Sequence, residues 1–81
     1  MWHVYILKCV DGSFYTGITN NIRKRIDAHN SGKGARYTRS RRPVRLIYKK
    51  KCPDLSAAFK RERAIKKMTR KMKKALVRNK R

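Results

Sequence analysis

Acidic residues are scarce in this chain, whose 81 residues include 25 lysines and arginines but four aspartates and glutamates, for a formal net charge of +21. So strong a cationic field repels itself and implies a polyanionic partner, for which nucleic acid is the leading candidate. An anionic membrane is disfavoured, because the basic residues surround the expected helices and no strong apolar face opposes them. The composition therefore predicts a nucleic-acid partner and no membrane partner.

Long apolar runs and paired cysteines are also lacking. No segment approaches the ~20 apolar residues of a membrane-spanning helix, and Met1 leads directly into strand-like sequence, so we expect no signal peptide and a cytoplasmic location. Cys9 and Cys52 are isolated in or at the end of apolar segments, which predicts buried free thiols over a disulfide. A chain this short buries only about 60% of its unfolded surface, so residues 1–81 should form one domain with one modest core.

Three segments have the character of β-strands. Residues 2–10 and 14–19 are rich in β-branched and aromatic residues and flank an Asp11-Gly12 turn signal, which predicts a hairpin. Residues 44–50 alternate apolar and basic side chains and should form a third strand. The stretch 31–42 between them is a glycine-containing basic loop.

Three helices are predicted around these strands. The first is capped by Asn20 and ends at residues 30–32, the second covers residues 54–67, and a short basic C-terminal helix follows a cap at Thr69. The fold is therefore α+β, a small three-stranded antiparallel sheet flanked by helices in the order β-β-α-β-α-α, with fraying expected at residues 79–81. The positions expected to face inward are Ile22, Ile26, Leu55, Ala58, Phe59, Ile65, Met72, Ala75 and Leu76.

Both longer helices place ionisable groups among these apolar positions. Glu62, the single glutamate, falls near the centre of the apolar stripe of the second helix, while Arg25 and His29 share the buried arc of the first. A carboxylate that faces a core is costly unless a cation or a metal compensates it. The simplest interpretation is a partly buried Glu62–Arg25 ion pair, bridged by His29, that fixes helix packing.

Two strand tyrosines, Tyr5 and Tyr15, are further candidates, and their relation depends on the hairpin. A two-residue turn that pairs Val10 with Ser13 puts them on opposite faces of the sheet, whereas a three-residue loop that pairs Val10 with Phe14 puts them together. The sequence alone does not choose between these registers. Tyrosines in strands are also common as packing residues.

Taken in order, these residues resemble the GIY-YIG nuclease domain over nearly the whole chain. The resemblance is carried by His3-Val4-Tyr5, by Tyr15-Thr16-Gly17, by Arg25 and His29 one turn apart, and by Glu62 on a later helix. The segments 15–19, 29–34 and 37–39 are similar to the short stand-alone bacterial members and to the catalytic module of nucleases that cut branched DNA. The motifs depart from the family at His3, where it has glycine, and at Thr16, where it has isoleucine.

The resemblance implies roles at the matched positions. Tyr5 would activate the attacking water, Tyr15 would line the same pocket, Arg25 would stabilise the phosphate, and Glu62 would bind one Mg²⁺ or Mn²⁺ ion. His29 would be an active-site histidine and the alternative base. We expect the dense positive charge and a nearby metal to lower the pKa of Tyr5. The resemblance also favours the register that brings the two tyrosines together.

The function predicted from these features is a divalent-metal-dependent endonuclease that hydrolyses phosphodiester bonds, in DNA rather than RNA. The alternative is a non-catalytic basic protein that binds DNA or structured RNA, and in either case a protein partner could supply specificity. Five cations in and beside the central loop would contact the nucleic-acid backbone and one tyrosine would stack on bases, although a merely solvated loop is the simpler interpretation. These residues are Lys33, Arg36, Tyr37, Arg39, Arg41 and Arg42.

Overall fold

A three-stranded antiparallel sheet forms the centre of the computed structural model, which describes residues 1–78. Its strands lie in the order β2-β1-β3, and helices cover both faces. The predicted α+β fold is confirmed, with one addition, because a single helical turn (α2) forms inside the predicted basic loop. Residues 79–81, where fraying was expected, lie outside the described residues. The elements are β1 (Trp2–Lys8), β2 (Phe14–Thr19), α1 (Ile22–Asn30), α2 (Arg36–Arg39), β3 (Arg45–Cys52), α3 (Leu55–Lys66) and α4 (Arg70–Arg78).

The β1–β2 hairpin settles the register that the sequence left open. The backbone N–H of Cys9 donates to the carbonyl of Ser13 at 2.8 Å, which closes a three-residue loop of residues 10–12. Gly12 in this loop has a φ of 86°, a left-handed conformation that glycine adopts at little cost. The loop length is the one that brings the tyrosines together, although it pairs Cys9 with Ser13 rather than Val10 with Phe14. Tyr5 therefore lies opposite Gly17 and shares its face with Tyr15.

The alternation of β1 divides the apolar residues into two layers. Val4 and Ile6 point to one face and pack with Ala58 and Ile65 of α3, while Tyr5 and its neighbour Leu7 point to the other face, toward α1. We call these the α3 face and the α1 face. The single modest core expected from chain length is thus two clusters separated by the sheet. Each fully buried aliphatic side chain contributes about 1.5–3 kcal/mol, so both clusters stabilise the domain.

The ends of the helices are fixed by side-chain caps. Thr69 caps α4 as predicted, because its Oγ1 accepts the N–H of Met72 at 3.2 Å. The predicted cap of α1 was wrong by one residue: Asn21, not Asn20, accepts the N–H of Lys24 at 3.1 Å. The reason is the neighbouring strand, since the hydroxyl of Thr19 at its end bonds to the backbone of Asn21 and delays the helix.

The apolar stripe predicted for α3 is narrower than expected. Ala58 and Ile65 are buried and lie about 20° apart around the helix, whereas Phe59 is about 100° from Ala58 and is 49% exposed. Leu55 is also exposed, and so is Met72 of α4, which was expected to face inward. The buried face of α3 is centred on the residues that contact the sheet. Sequence periodicity shows that such a face exists but not which residues lie at its centre. Glu62 consequently lies on the flank of this face rather than at its centre.

Two smaller predictions can be compared directly with the structure. Cys9 and Cys52 are both buried and neither forms a disulfide, as predicted. Among the described residues, none of the helices has the length and apolar character that crossing a bilayer requires.

Candidate active site

Tyr5 is the centre of a buried polar cluster on the α1 face. Its side chain is 1% exposed and lies over Gly17 of the neighbouring strand, where an added Cβ would be 2.5 Å from the phenol oxygen. The absence of a side chain at Gly17 therefore makes room for this ring. The Tyr5 oxygen lies 3.0 Å from Nε2 of His29 and accepts a hydrogen bond from Nε of Arg25 at 3.4 Å. The structure thus brings three of the predicted site residues into contact.

Helix α1 places both Arg25 and His29 next to Tyr5, because the two residues are four apart and project from the same side of the helix. His29 is fully buried, and a second guanidinium nitrogen of Arg25 donates to the carbonyl of Gly34 at 3.2 Å. Gly34 passes so close to the imidazole that any Cβ at this position would overlap it. The loop after α1 therefore closes over the histidine, and only glycine fits at the point of contact.

An aromatic column connects this cluster to the basic loop. Tyr15 meets the imidazole of His29 edge-on with 5.2 Å between ring centroids, and it stacks on Tyr37 at 6.0 Å with an angle of 23° between the planes. The guanidinium of Arg41 lies 3.9 Å from the centre of the Tyr37 ring. Tyr37, predicted to stack on bases, is thus already in contact with a tyrosine and an arginine, and a base would have to displace one of them.

Burial controls the charge of the cluster. It lowers the pKa of His29 from 6.5 to about 4, and the neighbouring Arg25 charge adds to that effect. Burial also raises the pKa of Tyr5, because it outweighs the opposing hydrogen bond and charge of Arg25, and the charges of Tyr15 and Glu62 raise it further. The expectation that positive charge would lower the pKa of Tyr5 is therefore wrong for the protein alone. At neutral pH the cluster holds a neutral phenol beside a neutral imidazole.

Glu62 lies on α3, the helix that packs on the α3 face of the sheet. Its side chain is 18% exposed and its carboxylate lies 3.3 Å from the ammonium of Lys66 one turn later. The Glu62–Arg25 ion pair suggested by the sequence does not form within residues 1–78, because α3 and α1 pack on opposite faces of the sheet.

Comparison with known proteins places this arrangement in a family. A family model described as the GIY-YIG catalytic domain matches residues 1–75. The chain belongs to the GIY-YIG family. It is 60% identical over 77 residues to the UPF0213 protein DP2720 of Desulfotalea psychrophila, covering 94% of this chain and 70% of the relative. It is 54% identical over 80 residues to the UPF0213 protein CPE1444 of Clostridium perfringens, covering 99% and 86%.

A solved structure extends the comparison to the whole fold. The solution NMR structure of the UPF0213 protein BH0048 from Bacillus halodurans matches with a TM-score of 0.65 and 46% sequence identity, covering 99% of this chain and 86% of that one. The solved structure therefore shares the fold over most of its length, and the names of all three relatives state no activity.

The GIY-YIG family generally uses a divalent metal, and the resemblance assigned its binding to Glu62. No group of three or more histidine, cysteine, aspartate or glutamate side chains capable of holding a metal occurs within residues 1–78. Mg²⁺ does not need such a cage, because it commonly binds through one or two carboxylates and keeps several waters. The donor set therefore fits a single hydrated Mg²⁺ or Mn²⁺ ion on Glu62, provided that Lys66 moves away from the carboxylate.

The predicted nucleic-acid-binding residues all lie in or beside α2. Arg41 is held by an ion pair with Asp11 at 3.1 Å, and Arg42 donates to the carbonyl of Arg39 at 2.8 Å. These contacts give the two arginines structural roles in the loop besides any contact with nucleic acid. The remaining cations of the set, Lys33, Arg36 and Arg39, are exposed.

Two residues that help to build the site were not identified from the sequence. Asn30 had been read only as part of the helix stop, but its side-chain amide bonds to both the N–H and the carbonyl of Val44, at 2.7 and 3.1 Å. Thr38 lies fully buried, 2.8 Å from Nδ1 of His29. The resemblance included the segment that contains Thr38, but nothing in its spacing indicated a partner, because the contact depends on the path of the whole loop.

Proposed function

We propose that this protein is a divalent-metal-dependent endonuclease that hydrolyses phosphodiester bonds in DNA. The observation that carries the proposal is the Tyr5 oxygen, which lies within hydrogen-bond reach of both Arg25 and His29 in a member of the GIY-YIG family. A phenol beside a guanidinium and an imidazole combines a group that can orient water, a cation for a phosphate and a proton acceptor.

Each residue has a distinct role in this proposal. Tyr5 positions and activates the attacking water, and Tyr15 forms the wall beside it. Arg25 uses two of its nitrogens within the protein, and its guanidinium has further N–H groups for a non-bridging phosphate oxygen. Glu62 holds the metal, which when bound would neutralise charge that builds on the phosphate and lower the pKa of a bound water.

DNA would be bound through its backbone by the basic loop. A shallow surface pocket of about 490 Å³ opens beside α2, lined by Asn30, Arg39, Ser40, Arg42 and Pro43. Its two arginines suit phosphate oxygens, which carry no sequence information. We therefore expect affinity with little sequence preference and a steep dependence on salt.

Plasmid nicking by purified protein, with Mg²⁺ and with a chelator, tests the proposal. Tyr5→Phe and Glu62→Gln should each abolish nicking while DNA binding is kept. Tyr48→Phe is the matched control for the first, because Tyr48 is also buried and its oxygen bonds to an arginine, but it packs in the α3-face cluster. Asp27→Asn is the control for the second, since it removes an exposed carboxylate from the outer side of α1.

A non-catalytic nucleic-acid-binding protein is the second candidate, and the Glu62–Lys66 pair favours it because a carboxylate with a cation partner needs no metal. The same experiment separates the two functions. A wild-type protein that binds DNA but leaves plasmids, branched DNA and single strands intact with Mg²⁺ and Mn²⁺ would rule out the nuclease.

A further inference from the structure

A continuous chain of hydrogen bonds passes through the candidate active site and ends in the loop. Arg25 Nε donates to the oxygen of Tyr5 at 3.4 Å, and that oxygen lies 3.0 Å from Nε2 of His29. On the other side of the ring, Nδ1 lies 2.8 Å from the hydroxyl oxygen of Thr38, which in turn donates to the carbonyl of Ala35 at 3.2 Å. Four contacts therefore link five residues across β1, α1 and α2.

Only one placement of hydrogens satisfies every contact. The Ala35 carbonyl can only accept, so it takes the hydroxyl hydrogen of Thr38, and the Thr38 oxygen can then only accept from His29. Nδ1 of His29 must therefore carry the imidazole hydrogen, which leaves Nε2 with its lone pair. The hydroxyl of Tyr5 must in turn donate to Nε2, while its oxygen accepts from Arg25. Buried polar groups of this kind are rarely left unpaired, which supports the fully bonded assignment.

We infer that Thr38 is a positioning residue, which holds His29 as the Nδ1–H tautomer so that its Nε2 receives the hydrogen of Tyr5. This inference rests on the proposed function and assigns a role to a loop residue that touches neither water nor phosphate. The Tyr5 oxygen then presents a lone pair, rather than a hydrogen, to the attacking water. Without the Thr38 hydroxyl, the imidazole hydrogen can move to Nε2, where it competes with the hydrogen of Tyr5.

The proton movement that follows is balanced. Water gives a proton to the Tyr5 oxygen as the Tyr5 proton passes to Nε2 of His29, and the water oxygen bonds to phosphorus while the bond to the leaving oxygen breaks. The leaving oxygen takes a proton from solvent, and His29 returns its extra proton to solvent through Tyr5. The low pKa of His29 keeps the ring neutral in the free protein, and the same burial makes the imidazolium costly to form. A bound phosphate would offset the Arg25 charge and stabilise the transient imidazolium.

NMR of ¹⁵N-labelled wild-type protein without nucleic acid decides the tautomer, because protonated and unprotonated imidazole nitrogens resonate far apart. His29 is assigned by comparison with a His3→Gln variant. We expect Nδ1 to carry the hydrogen near neutral pH. A wild-type ring protonated at Nε2 would overturn the inference and leave the nuclease proposal intact, and this measurement does not depend on any variant being able to fold.

Three threonine variants then test the role. Thr38→Val should shift His29 toward the Nε2–H tautomer and slow nicking about 10- to 100-fold at unchanged DNA affinity, by analogy with histidines that bind metals and lose their hydrogen-bond partner. Thr38→Ser restores a hydroxyl and should recover both tautomer and rate. Thr16→Val is the matched control, because Thr16 is buried and its hydroxyl makes no hydrogen bond within residues 1–78.

The outcomes separate the two proposals. Thr38→Val with the wild-type tautomer and rate would overturn the positioning role. Failure of the wild-type protein to cut DNA, with the Nδ1–H tautomer present, would instead overturn the nuclease and with it the catalytic use of the chain of hydrogen bonds.

Discussion

His29 should make the folded protein sensitive to mild acid. Its pKa is about 4 in the folded state against 6.5 for an unperturbed histidine, so the unfolded chain binds a proton that the folded protein rejects. The stability that His29 contributes is therefore present above about pH 6.5, falls as the pH is lowered toward 4, and is fully lost below that value. The cause is the burial of the ring, reinforced by the nearby charge of Arg25.

The size of this effect follows from the shift. The difference between a pKa of 6.5 and one of about 4, at about 1.4 kcal/mol for each pKa unit, gives a total loss of at most about 3.5 kcal/mol. About 2 kcal/mol of it should disappear between pH 7 and pH 5. Domains of this size are stable by roughly 5–15 kcal/mol, so acid would remove a large part of the folding free energy through one side chain.

Urea unfolding at pH 7 and pH 5, followed by circular dichroism at fixed ionic strength, measures the loss. A fixed salt concentration matters because a chain with a net charge of +21 is sensitive to screening. His29→Gln should flatten the dependence on pH. His3→Gln is the comparison, since burial and the charges of Lys49 and Lys51 lower the pKa of His3 as well, and this substitution should flatten the pH dependence less than His29→Gln does. Equal stability of the wild-type protein at both pH values, or an equal pH slope in His29→Gln, would refute the reasoning.

Three further predictions follow from the contacts of the site. Gly17→Ala should destabilise the fold by about 1–3 kcal/mol and remove nicking, because its Cβ would displace the Tyr5 ring; an unchanged melting temperature would contradict this. Asn30→Ala should lower the unfolding free energy by about 1–2 kcal/mol by leaving both backbone groups of Val44 without their partner, which calorimetry would detect. Arg39→Gln should weaken binding to all DNA sequences alike and reduce the salt slope by about one in fluorescence anisotropy, so a sequence-dependent loss would argue against backbone contact.

The sequence was sufficient to predict features that neighbouring residues determine, such as strands and helix caps. It was not sufficient to predict contacts between distant residues, which depend on how the elements pack. The period-two alternation of the strands and the cap at Thr69 could be read directly, because neighbouring residues determine them. The shared face of Tyr5 and Tyr15 required the length of the hairpin loop, which the turn signal alone left open. The contacts of His29 with Thr38 and of Asn30 with Val44 could not be found at all, since both depend on where the basic loop folds back onto α1 and β3.

The prediction for Glu62 was right that the carboxylate has a cationic partner but wrong about which residue supplies it. A carboxylate on a half-buried helix flank needs a cation, and the sequence suggested Arg25 because both residues lie on faces that should meet the sheet. The sheet instead separates the two helices, and Glu62 pairs with Lys66 on its own helix. Pairs of this kind on a helix surface contribute only about 0.3–0.5 kcal/mol, so Lys66 offers little compensation for a carboxylate that is 18% exposed. A weak partner is easily displaced, so the pair with Lys66 does not block the metal-binding role that we propose for Glu62.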